Sequence, residues 1–185
     1  MTYYPKIFFQ PQLAKVCLIT TTIGMAVLFN GCGSQQSAQY EATAKSSITW
    51  RVPYYEGDTT NDKRARYEEF ESASLVNVNG QKPEGAVYQD DKGIWWAKEP
   101  PRPTVDEIEG GKKKPYEKIG KPERLRQVEY RVKYNQDGER INLPTNYDVY
   151  RQVVKSYPDI PLNFTMGINN GSVTKATPVT NPVNN

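Results

Sequence analysis

An apolar run near the N-terminus constrains this chain more than any other feature. Residues 16–29 carry no charged side chain, Lys6 and Lys15 precede them, and Gly31-Cys32 follows. A secretory signal peptide has this order: a basic segment, an apolar segment of about 7–15 residues, and a small residue at the cleavage site. The run has 14 residues, whereas a membrane-spanning helix needs about 20. The sequence therefore predicts a signal peptide over residues 1–31 and a mature chain that folds outside the cytoplasm.

The end of this run resembles the lipobox of bacterial lipoproteins. That motif is approximately Leu, a small residue, Gly or Ala, and then Cys, and the matching stretch here is Leu28-Phe29-Asn30-Gly31-Cys32. Gly31 and Cys32 match the motif, whereas Phe29 and Asn30 differ from its usual residues. The resemblance implies cleavage between Gly31 and Cys32, a thioether-linked diacylglycerol on Cys32 and a further acyl chain, such as palmitate, on its amino group. Two or more acyl chains hold a protein durably on a bilayer.

The predicted location is the bacterial cell membrane or outer membrane, with the protein facing the periplasm or the exterior. Two alternatives stay open. Ordinary cleavage before Cys32 would release a soluble secreted protein, and an uncleaved segment would leave residues 16–29 as an N-terminal anchor. All three interpretations place the remainder of the chain outside the cytoplasm.

The residue types in the chain exclude several kinds of chemistry. There is no histidine, and of the two cysteines Cys17 lies in the predicted signal peptide. Ser-His-Asp and Cys-His nucleophile systems and histidine-ligated zinc are therefore excluded. Acidic and basic residues are nearly balanced after residue 31, so no excess positive charge favours nucleic-acid binding. We expect no metal, no cofactor and no disulfide in the mature chain.

Composition predicts one small α+β domain over residues 48–176. Cys32 and the small polar residues after it predict a lipidated, flexible tether over residues 32–47, and residues 177–185 predict a disordered tail. Residues 99–123 include four prolines between positions 100 and 115, together with Gly110-Gly111. This composition predicts a long irregular arm.

The predicted sheet is mostly antiparallel, with six to eight short strands and one or two helices. Strand patterns occur at residues 48–52, 75–79, 86–89, 94–98, 127–134, 141–143, 162–168 and 172–176. The strongest local pattern is the hairpin that turns at Asp137-Gly138. A helix is predicted at residues 145–156, with Asn146 as its N-cap and Pro158 beyond its end. A second, shorter helix is predicted at residues 63–73.

Aromatic residues supply the candidate binding face. Trp95 and Trp96 are adjacent, so on a strand their side chains point to opposite faces and one of them is available for contact. Tyrosine and tryptophan provide contact area at low entropic cost and stack on sugar rings. The alternative is a β-rich core with tyrosines at its rim. The predicted face is built from Tyr88, Trp95, Trp96, Pro100, Pro101, Arg102 and Pro103.

The predicted function is a non-catalytic binding, scaffold or assembly role in the cell envelope. The expected partners are the lipid bilayer, through acylated Cys32, and a cell-wall glycan or an envelope protein complex. One alternative is a carboxylate-dependent hydrolase of cell-wall glycans, for which Glu68 and Glu71 form the candidate carboxylate pair. Another is an accessory subunit of a larger membrane complex, with the arm at residues 99–123 folding onto its neighbours. The sequence assigns no catalytic residue.

Overall fold

Three antiparallel sheets and two helices make up the part of the chain that the computed structural model describes, residues 33–57 and 65–179. The predicted signal peptide and Cys32 lie outside the described residues. In chain order the elements are β1 (Ser34–Ser37), β2 (Tyr40–Tyr55), β3 (Arg66–Val78), β4 (Ala86–Gln89), β5 (Trp95–Ala97), α1 (Val105–Gly110), β6 (Lys118–Ile119), β7 (Glu123–Gln136), β8 (Glu139–Thr145), α2 (Tyr147–Ser156), β9 (Leu162–Met166) and β10 (Val173–Pro178).

The largest sheet has five strands. Its order is β3-β2-β7-β8, and the short β6 pairs with the end of β2. A three-stranded sheet has the order β1-β9-β10, and β4 and β5 form a separate ribbon. The main core lies where these sheets meet α2, around Ile48, Val132, Val153 and Phe164. The predicted class, a small and mostly antiparallel α+β fold, is confirmed, although β2, β3 and β7 are long, with 16, 13 and 14 residues.

Residues 33–47 differ from the predicted tether. Residues 34–37 form β1, which pairs with β9, and β2 begins at Tyr40. The alternate residues Tyr40, Ala42 and Ala44 of β2 are buried in the core. The small and polar composition of residues 33–47 suggested disorder, but the alternation of buried and exposed positions is that of a strand. Alanines suit this strand because α2 packs against it.

The hairpin formed by β7 and β8 agrees with its prediction. Asp137 and Gly138 both have positive φ, 51° and 85°, as the favoured two-residue hairpin turn requires. Val132 and Tyr134 are buried on the predicted face. The helix prediction is also confirmed, because the Asn146 side chain accepts a hydrogen bond from the Val149 backbone N–H at 2.9 Å.

The predicted helix at residues 63–73 is wrong, because residues 66–78 form β3. This strand pairs with β2 along most of its length, and its register shifts between Thr49 and Arg51. Hydrogen bonds to β2 satisfy the backbone groups on one edge of β3, and this pairing overrides the helix-forming residues of its sequence.

The arm at residues 99–123 is partly regular and packs on the large sheet. It contains α1 and β6, and Ile108 of α1 is buried against Val52 and Tyr54 of β2. The Tyr54 hydroxyl donates a hydrogen bond to the Ile108 carbonyl at 2.7 Å. A capping box at Thr104 starts the helix directly after the prolines, which explains why a proline-rich segment still forms a helical turn.

The C-terminal strand β10 reaches Pro178, so the first two residues of the predicted tail belong to the sheet. The Val179 N–H continues this pairing with a hydrogen bond to the Pro161 carbonyl at 2.9 Å. Residues 180–185 lie outside the described residues. Among the helices described, α1 and α2, neither is long and apolar enough to cross a membrane.

Candidate functional site

The structure divides the predicted aromatic face. Trp96 is buried, and its indole N–H donates to the Asp90 carboxylate at 2.9 Å. Tyr88 stacks on Trp96, with ring centroids 6.4 Å apart and planes 7° from parallel. Pro100 is also buried, and its carbonyl accepts a hydrogen bond from the Trp50 indole at 3.1 Å. These three members of the face therefore contribute mainly to the interior of the domain.

The other members lie elsewhere. Trp95 points to the opposite face of β5, where the Lys82 ammonium lies 5.3 Å from its ring centroid. Pro101, Arg102 and Pro103 line a small cavity of about 140 Å³ beside β3. The seven residues therefore have different surroundings and do not make one exposed strip.

A larger cleft lies at the end of the β7–β8 hairpin. It has a volume of about 480 Å³, which is within the range of small-molecule sites. Its walls come from the β1–β2 connection, from both strands of the hairpin and from the segment after α2. The lining residues are Ala38, Gln39, Tyr40, Glu41, Lys133, Tyr134, Asn135, Arg140, Tyr157 and Pro158.

Tyrosines form one wall of this cleft. The Tyr40 hydroxyl donates to the Ser156 carbonyl at 2.9 Å, and burial, followed by the negative charge of Asp159, raises the pKa of Tyr40. The Tyr157 ring meets the Tyr40 ring edge to face at 6.3 Å. Tyr157 itself is 41% exposed, so its ring is available to a ligand while Tyr40 holds the wall in place.

Charged side chains also line this cleft. The Lys133 ammonium lies 2.8 Å from the Glu41 carboxylate. The Arg140 guanidinium lies 3.9 Å from the same carboxylate, and its side chain is 67% exposed. Arg140 therefore keeps donors for a negatively charged or strongly polar group. A tyrosine ring beside a guanidinium can hold a ligand that combines a flat or apolar surface with an acceptor.

The candidate carboxylate pair is not brought together. The Glu68 carboxylate forms an ion pair with the Lys113 ammonium, which lies 3.0 Å away. Glu71 lines the small cavity near Pro101 instead. Glu68 and Glu71 thus have different neighbours and do not share a cleft.

The carboxyl groups with shifted pKa values all have a pKa below the usual value. Hydrogen bonds from the Arg66 side chain and from the backbone of Lys113 lower the pKa of Glu117 to about 2. Hydrogen bonds from Thr104 lower the pKa of Glu107. A general acid for glycoside hydrolysis needs a raised pKa, so these groups suit structural ion pairs and caps. Within residues 33–57 and 65–179, no cluster of three or more His, Cys, Asp or Glu side chains is placed to hold a metal ion.

The residue that follows the predicted lipidation point belongs to the fold. Gly33, the residue after Cys32, accepts a hydrogen bond through its carbonyl from the Met166 N–H at 2.9 Å. Ser34 is paired with Thr165 in the next step of the same ladder.

No protein-family model, curated protein or solved structure matches this chain.

Proposed function

We propose that this protein is an extracytoplasmic lipoprotein, held on a bacterial membrane by acyl chains on Cys32, with a non-catalytic binding role in the cell envelope. The observation that carries the proposal is the position of β1. Strand pairing begins at Ser34, two residues after the cysteine of the lipobox-like stretch. Acylation of Cys32 would therefore hold a folded domain directly at the membrane surface.

The candidate ligand site is the cleft between Tyr157 and Arg140. An exposed tyrosine ring and an exposed guanidinium that line the same cleft suit a ligand with a sugar ring and an anionic or carbonyl group. A cell-wall glycan has this chemistry. The cleft opens about five residues along the chain from Gly33, which is about 16 Å on an extended strand.

The anchor is tested by mass spectrometry of protein purified from membranes of a bacterial host. We expect loss of residues 1–31 and a mass increase that corresponds to acyl chains on Cys32. The variant Cys32→Ser should leave the membrane pellet after a carbonate wash. Cys17→Ser is the matched control, because that cysteine leaves with the signal peptide, and it should stay in the pellet. An intact N-terminus, or an unmodified Cys32, would refute the anchor.

The binding role is tested by sedimentation with purified peptidoglycan. We expect Tyr157→Ala to weaken binding about 2- to 12-fold, the equivalent of an aromatic contact of about 0.5–1.5 kcal/mol. Tyr116→Ala is the matched control, because Tyr116 is 61% exposed on the arm and remote from the cleft lining. Equal binding by both variants would exclude this cleft as the glycan site.

A further inference from the structure

The loop between β9 and β10 exposes a large apolar side chain. Ile168 is 88% exposed, more than any other large hydrophobic residue in the described part of the chain. Asn169 and Asn170 follow it with positive φ of 53° and 55°, a conformation that asparagine tolerates better than most residues. The loop is therefore a defined turn that carries isoleucine at its surface, where contact with water is unfavourable.

This loop lies beside Gly33, the residue that follows the predicted lipidation point in the sequence. The Met166 N–H is bound to the Gly33 carbonyl, and the Asn170 side-chain oxygen is 3.5 Å from the position that a Cβ on Gly33 would take. Ile168 follows Met166 by two residues, or at most about 7.6 Å between Cα atoms. Adding the strand spacing of about 5.5 Å, the Cα atoms of Ile168 and Gly33 are separated by no more than about 13 Å, and Gly33 is the residue that follows Cys32 in the sequence.

The residues around Ile168 suit a lipid headgroup layer. Residues 166–173 carry no charged side chain, so their approach to a bilayer removes no ion from water. The neighbours of Ile168 in the loop are glycine, asparagine and serine, which are small and polar. Apolar side chains of interfacial segments enter the boundary between headgroups and acyl chains by about 5–10 Å.

We propose that Ile168 inserts into the bilayer to which Cys32 is anchored, so that the β9–β10 loop is a second membrane contact that orients the domain. This inference rests on the proposed acylation of Cys32. With β1 paired from Ser34 onward, Gly33 alone separates the acylated residue from the sheet. The domain then meets the membrane at a defined place, and the apolar side chain beside the anchor faces lipid.

The test uses a single thiol in the full, processed lipoprotein. Cys17 is removed with the signal peptide and Cys32 carries acyl chains, so Ile168→Cys supplies a unique site for the environment-sensitive fluorophore NBD. The labelled protein is reconstituted in vesicles of phosphatidylethanolamine and phosphatidylglycerol at 3:1. We expect a blue-shifted emission and at least twofold stronger quenching by doxyl-labelled lipid than at Val105→Cys. Val105 is the matched control, because it is 74% exposed in α1.

The outcomes separate this inference from the proposed function. Acyl chains on Cys32 together with equal, water-like emission from both labels would overturn the membrane contact and leave the anchor intact. Absence of acyl chains would overturn both. A blue shift that grows with protein density and is insensitive to doxyl lipid would assign Ile168 to contact between copies of the chain, which also overturns the proposal.

Discussion

The side-chain amide of Asn77 should be among the most sensitive positions of the fold. Asn77 on β3 is fully buried, and its amide oxygen accepts the Trp95 N–H at 2.6 Å. Its amide nitrogen donates to the Trp95 carbonyl and to the Ala44 carbonyl, each at 3.1 Å. Strand β5 pairs with β4 on one edge. On its other edge, the Asn77 amide supplies the two hydrogen bonds that a neighbouring strand would make.

The size of the stability loss depends on which hydrogen-bond partners remain after Asn77→Ala. The Trp95 carbonyl keeps a hydrogen bond from the Ser46 hydroxyl at 2.8 Å, whereas the Trp95 N–H loses its partner. A hydrogen bond contributes about 1 kcal/mol net, and an unsatisfied buried group costs about 1–3 kcal/mol. We expect the free energy of unfolding to fall by about 3 kcal/mol, which lowers Tm by roughly 6–12 °C for a domain of this size.

Thermal and urea unfolding, followed by tryptophan fluorescence and circular dichroism, measures this loss. Ser72→Ala is the control, because the Ser72 hydroxyl forms an exposed hydrogen bond with Thr49 at 2.8 Å and its removal should cost less than about 0.5 kcal/mol. If Asn77→Ala melted within about 2 °C of the parent protein, the amide would not hold β5 against β3 and the reasoning would be refuted.

Two further changes test the arm. Because hydrogen bonds from Arg66 lower the pKa of Glu117 from 4.5 to about 2, its contribution to stability is present above pH 4.5 and is lost as the pH falls towards 2. Glu117→Gln should therefore reduce the decline of the urea midpoint in acid, and a parallel decline in both proteins would contradict this. Gly120→Ala places a Cβ 2.6 Å from Pro53 and 2.9 Å from Tyr55, so we expect a loss of about 1–3 kcal/mol in urea unfolding; unchanged stability would show that the neighbouring rings move aside.

Local signals in the sequence predicted the hairpin and α2 well. Asp137-Gly138 permits a two-residue turn with positive φ at both positions, and Asn146 caps its own helix. These features act over a few residues, so no distant partner is needed to specify them. The predicted aromatic face does not form as one surface, because the burial of Trp96 and Pro100 depends on what packs over them.

Long-range pairing accounts for what sequence patterns missed. The strand at Arg66–Val78 has a composition typical of a charged helix or loop, and it is a strand because β2 lies beside it. The cleft combines residues near positions 40, 134, 140 and 157, and no local motif brings these segments together. The same is true of the contact between Gly33 and Met166.

The sequence by itself determined the lack of histidine chemistry, the β7–β8 turn and the capped helix, and it is the basis of the mature start that we propose, since each depends on residue type or on neighbours within a few positions. Only the tertiary structure decided that residues 34–37 and 40–47 lie in strands, that Tyr157 and Arg140 line one cleft, and that Met166 and Asn170 of the β9–β10 region lie beside Gly33. The physical reason is that backbone pairing and burial are set by partners far along the chain, and these can make a strand of a segment whose own composition favours none.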